Sequence, residues 1–168
     1  MSNETKPKKE SKLDIDNNFD LKLVRTLSPA LRWVLTLPIA FIAMFAVQVG
    51  FGTLVKLINS NLPMGEIVNT FMLSTVMLAK YAIFVIAATS TAPVARNKKF
   101  IVSIAAAFIG ALLCVGGTAI SLSLSVAIDK TMLISTFTDS ILGLLLGIWE
   151  VRRVTSKPLT EENKASQL

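Results

Sequence analysis

Between Arg32 and Lys56 the chain runs through Trp33 to Val55 without one charged side chain, and it does so again from Phe100 to Ile128. Stretches of that length are what a bilayer core demands, because about 20 apolar residues carry a helix across about 30 Å of hydrocarbon. Water is absent there, so every backbone N–H and C=O must be satisfied within the segment, as a helix does. No strand-like alternation, internal repeat or glycine-rich phosphate loop competes with a helical reading.

Two further segments complete the pattern. Residues 67–90 are apolar apart from Lys80, and residues 131–149 carry Ser135, Thr136, Thr138, Asp139 and Ser140 among apolar neighbours. The fold class expected is an all-α integral membrane protein, with transmembrane helices over about 33–55, 67–90, 100–128 and 131–149 forming a small bundle. Asp129 and Lys130 mark a tight turn between the last two. Pro38 sits near the start of the first span, where neighbouring helices can satisfy the carbonyl it frees. That span exceeds a signal-peptide core, follows a long charged region and lacks an A-x-A site, so it reads as retained.

The flanks complete the domain organisation. Residues 1–18 are polar and read as a disordered cytoplasmic tail. Over 19–30, Phe19, Leu23, Val24 and Leu27 share one helical face, which suggests a short amphipathic helix at the membrane surface; a polar linker is the alternative. The membrane domain occupies 31–150, and 151–168 form a second tail.

Charge placement tests this threading independently. If all four segments cross, one side receives residues 1–32, the loop with Arg96, Lys98 and Lys99, and the C-terminal tail, which together hold fourteen of the seventeen Lys and Arg residues. The positive-inside rule assigns that side to the cytoplasm, with both termini there. Trp33 and Trp149 fall at the same predicted interface, where an indole keeps its N–H wet. The localisation expected is a bacterial cytoplasmic membrane.

Composition excludes much chemistry. The chain has no histidine, which removes the commonest general base, the usual nucleophilic triads and most zinc sites. The single Cys114 has no partner for a disulfide and reads as a small buried residue. No catalytic, cofactor or metal motif is present, so neither an enzyme nor a cofactor is expected. The net charge of +6 lies beside apolar segments instead of forming a patch, which argues against nucleic acid as a partner.

Lys80 and Asp139 are the informative residues. Each is mid-span, with Lys80 14 positions after Glu66 and 16 before Arg96, and Asp139 9 after Lys130 and 11 before Glu150. At about 1.5 Å per residue, each is roughly 13 Å or more from the nearest flanking charge. An isolated charge there costs about 2.5–3.5 kcal/mol. Their comparable depth suggests an ion pair that either fixes the register of the second and fourth helices or forms an ion-coupling site. The alternative is that each charge awaits an opposite charge on a partner. Gln48, near the middle of the first span, is a third polar group, whose bland role is an interhelical hydrogen bond.

Small residues supply the packing signal. Ser135, Asp139, Gly143 and Gly147 recur every four residues, the last two as GxxxG, and Ala106, Gly110, Cys114 and Thr118 form a similar stripe. The two stripes are expected to pack on each other, or to serve a homo-oligomer, with Leu144, Leu145 and Leu146 toward lipid. The function expected is a non-enzymatic accessory, assembly or regulatory subunit of a membrane complex, its partners being the lipid bilayer and a protein within it. A small transporter using Lys80 and Asp139 is the alternative, and a holin-like or immunity-type protein a third.

Overall fold

A computed structural model describes residues 14–62, 65–123 and 130–157. The expected tail up to residue 13, the segment 124–129 with the expected turn, and the end beyond 157 lie outside the described residues. Four long helices make up nearly all of the rest: α1 (Pro29–Asn61), α2 (Glu66–Thr91), α3 (Lys99–Ser123) and α4 (Lys130–Ser156). Each holds a stretch long and apolar enough to cross a membrane. The molecule is an all-α four-helix bundle of the multi-pass membrane type.

Local chemistry explains where the helices start and stop. Ser28 caps α1 by accepting the Leu31 N–H at 3.4 Å, and Pro29 occupies the first helical position, where a missing N–H costs nothing. The helix continues unbroken through Pro38. Pro93 ends α2, because it has no N–H to give the Thr89 carbonyl. Inside the helices most hydroxyls bond to carbonyls of their own helix, as Thr89 does to Val85 and Ser140 to Thr136. Such back-bonding satisfies a polar group without needing water.

α2 is the central element, packing against all three others, while α1 packs substantially on α2 alone. Only 11% of the α1 span is buried, against 28% for each of the other three. The core gathers Tyr81, Phe84, Val85 and Ala88 of α2, Ala40 of α1, Ala106 and Cys114 of α3, and Leu144 of α4. Phe84 meets Phe41 of α1 edge to face, with centroids 5.6 Å apart. Large apolar side chains cover the outside of the bundle, including Phe45, Phe71, Ile101 and Leu145. That surface fits hydrocarbon and not water.

Two expectations about packing are corrected. The GxxxG face of α4 packs on α2 and not on α3: a Cβ on Gly143 would collide with the Leu78 carbonyl oxygen, and one on Gly147 would lie 2.7 Å from the Val85 Cβ and 3.0 Å from the Ala82 oxygen. α2 and α4 therefore lie side by side and parallel, with Ser74 opposite Asp139, Leu78 opposite Gly143 and Ala82 opposite Gly147. Leu144, one residue or about 100° further round, is turned inward, only 4% exposed, and sits where a Cβ on Gly110 of α3 would come within 2.5 Å of it. Leu145 and Leu146 do face outward.

The segment before α1 also differs from expectation. No amphipathic helix forms over 19–30; a single 3₁₀ turn, Lys22–Val24, follows an Ile15–Leu21 bridge. Phe19 and Val24 are buried at 3% and 2% exposure, plugged into the end of the bundle. Phe19 adopts φ 62°, the left-handed region that bulky side chains avoid, while the Asp16 carboxylate accepts the Asn18 and Asp20 N–H groups around it. The apolar periodicity is real, but local turn chemistry and burial of two side chains decide the conformation.

Candidate functional site

The ends of two helices carry the most developed polar arrangement. A helix leaves its last carbonyls without partners. At the end of α2 all four are met. Lys99 donates to Thr89 and Ala92 at 2.9 and 2.8 Å, Arg32 to Thr91 at 3.1 Å and Ala92 at 3.4 Å, and the Leu21 N–H to Ser90 at 3.0 Å. Both cations belong to the opening turns of α1 and α3. There they oppose their own helix dipoles while favouring that of α2, whose C-terminus carries about half a negative charge. Asp20 completes the cluster, accepting from Arg32 at 2.6 Å and Lys99 at 2.7 Å. Lys99 is fully buried and Arg32 nearly so.

The end of α4 is held in the same manner. The Arg96 guanidinium donates to the Val154, Thr155 and Lys157 carbonyls at 2.6, 3.3 and 3.1 Å, and also to the Asn17 carbonyl of the N-terminal segment. Sequence reasoning took Arg32, Arg96 and Lys99 as topology signals only. The available clue was Asp20, an acid just before a span, with Pro93 promising an orphan carbonyl.

Within the spans, the ion pair expected between Lys80 and Asp139 does not form. Asp139 accepts from Ser74 of α2 and, at 3.1 Å, from Ser135 one turn earlier on α4. Lys80 instead lies over the Tyr81 ring, its ammonium 5.2 Å from the centroid. The reason is geometric. Ser74 faces α4, and Lys80, six residues on, is turned about 120° away and lies about 9 Å further along the axis. Distance from flanking charges misjudged the depth because α2 and α4 are not threaded from the same level.

Lys80 shares its stripe with Phe84, four residues on, and Phe84 touches Phe41 of α1 and lies beside Gly110 of α3. Cys114, one turn beyond Gly110, is buried in the same core. Tyr81 is buried, its hydroxyl against the Ser140 and Cys114 side chains. Lys80 thus lies on the side of α2 that faces the cleft between α1 and α3, which pack on α2 but hardly on each other. Phe84 is fully buried there, whereas a Cβ on Gly116 or Gly117, further along α3, would meet nothing within 4 Å.

Gln48 lies seven residues after Phe41 and so on the same face of α1, near the level toward which the Lys80 side chain leans. Its Oε1 is buried without a hydrogen-bond partner among the described residues. Of the three polar residues singled out, Lys80 and Asp139 lie on different sides of α2, and Gln48 shares the Phe41 face of α1. Of the four small residues, Gly143 and Gly147 seat α4 on α2, Gly110 receives Leu144, and Ala106 belongs to the common core.

Fold and polar groups together define the class: a multi-pass helical bundle with two cation-capped helix ends and a lysine within one span. More particular assignment through relatives fails, since the chain matches no protein-family model, no curated protein and no solved structure.

Proposed function

We propose that this protein is a non-enzymatic accessory subunit that docks within the bilayer onto a larger membrane complex. The observation that carries the reading is Lys80: a half-buried cation near the middle of α2, on the side that faces the α1–α3 cleft, with no carboxylate paired to it among the described residues. A charge at that depth is expensive when alone and is relieved by an opposite charge from a neighbour. The rest of the molecule is built as scaffold, with helix ends capped and most hydroxyls bonded to their own helices.

The transporter alternative gains no support from this arrangement, because Lys80 and Asp139 line different seams. The capped end gathers Arg25, Arg96, Lys98, Arg152, Arg153 and Lys157, and we place it at the cytoplasmic face of a bacterial inner membrane, with both termini inside. A photo-crosslinking side chain at Met77, on the Lys80 stripe, tests docking in native membranes against one at Leu145 on the outer surface of α4. A discrete product from position 77 alone, diminished by Lys80→Leu, is expected. Identical diffuse lipid adducts from both positions overturn the proposal.

A further inference from the structure

We infer that the occupant of the α1–α3 cleft is a transmembrane helix of another protein carrying one carboxylate near the middle of its span, which pairs with Lys80. The inference rests on the docking proposal and adds the chemistry of the partner.

Charge complementarity is the first argument. Lys80 lies 11 residues, about 16 Å, before the end of α2, and its side chain leans away from that end. Anionic lipid headgroups stay at the membrane surfaces, which leaves a group carried into the bundle, such as an Asp or Glu on a helix. Inside the chain the carboxylate at hand, Asp139, is already engaged by two hydroxyls on the opposite side of α2. The ring of Tyr81 is a weak substitute: it holds the ammonium by its face and leaves its N–H donors without an acceptor among the described residues.

Shape is the second argument. α1 packs substantially on α2 alone and hardly meets α3, which leaves their facing sides available to an added helix. A lysine side chain leans toward the N-terminus of its helix. The carboxylate therefore belongs at the middle of the incoming span or a few residues toward the end of the bundle away from the Asp20 cluster.

The chain is labelled with an energy-transfer acceptor and reconstituted in phosphatidylcholine vesicles with donor-labelled leucine-rich 21-residue helices whose central residue is Glu, Gln or Leu. Association of the Glu helix is expected to be about tenfold tighter than that of the Leu helix. It should be lost in Lys80→Leu and retained in Lys80→Arg. Lys80→Leu should also leave the isolated protein at least as resistant to thermal unfolding as the parent, since removing an uncompensated buried charge costs nothing; a lowered midpoint counts against the inference.

Equal association of the Glu and Leu helices, or association unchanged by Lys80→Leu, overturns it. So does energy transfer between two labelled copies of the chain that disappears with Lys80→Leu, because the occupant is then a second copy. Crosslinking from Met77 in native membranes separates the two levels. A Lys80-dependent product alongside indifferent peptides keeps the docking proposal and sinks the acidic partner helix, whereas no product sinks both.

Discussion

Replacing Asp20 by alanine removes the carboxylate that Arg32 and Lys99 share at 2.6 and 2.7 Å. Two cations then remain side by side, one fully buried, with only carbonyl dipoles of α2 to hold them. Breaking a buried pair from one side costs about 3–5 kcal/mol. Two features favour the lower end of that range: the Asp20 side chain is 17% exposed, and the α2 dipole supplies about half a negative charge. The expected loss is therefore about 3 kcal/mol, or roughly a hundredfold in an equilibrium constant.

The loss should fall on docking of the N-terminal segment, not on the helices. That segment is otherwise held by burial of Phe19 and Val24 and by the Leu21–Ser90 hydrogen bond, while α1 to α4 keep their packing. Hydrogen exchange of the Leu21 amide in detergent micelles or nanodiscs reads the undocking directly, with amides in the middle of α2 as the unaffected reference. Asp20→Ala should speed Leu21 exchange about a hundredfold, and Asp20→Asn by less, since the amide oxygen still accepts. Lys99→Met in the same chain should restore part of the protection, because one of the two stranded charges is gone. Unchanged Leu21 exchange, or strictly additive losses in the double variant, would show that the cluster does not hold the segment.

Other perturbations follow from the packing. Gly143→Ala forces a methyl onto the Leu78 carbonyl, which is backbone and cannot turn aside, whereas Gly110→Ala meets the far end of Leu144. Thermal unfolding should show Gly143→Ala losing about 1–3 kcal/mol and Gly110→Ala clearly less. Ser74→Ala with Ser135→Ala strips both hydroxyls from Asp139 and should cost about 1–3 kcal/mol; adding Asp139→Leu should return much of it, and no recovery would mean the serines matter otherwise. Lys80→Ala and Asp139→Ala should be additive in stability, because the two groups share no partner; a coupling beyond about 0.5 kcal/mol would restore the ion pair. Arg96→Ala should raise amide exchange in the last turn of α4 and leave its middle unchanged.

Which of these features could be seen in the amino-acid order follows a physical divide. The four helices were legible because hydrocarbon imposes length and apolarity one segment at a time, so no knowledge of neighbours is needed. The GxxxG face of α4 was legible as a close-approach surface, but its partner was not. Gly143 fits Leu78 of α2 as readily as any stripe on α3, and only the parallel placement of α2 and α4 decides between them. Lys80 and Asp139 fail for the same reason: depth counted from flanking charges says nothing about rotation, and about 120° of rotation sends one group to Tyr81 and the other to Ser74. The Asp20 cluster shows the reverse case. Arg32, Arg96 and Lys99 were read by a rule about which side of the membrane they choose, and that rule is blind to which carbonyl they reach. The same charges serve both ends: a cation kept at one surface by the threading is already beside the C-termini of every helix that arrives there. Capping of α2 and α4 by cations at or just before the starts of their neighbours is thus a consequence of alternating helix direction, and it predicts that moving Lys99 one position along α3 damages the α2 end without altering orientation in the membrane.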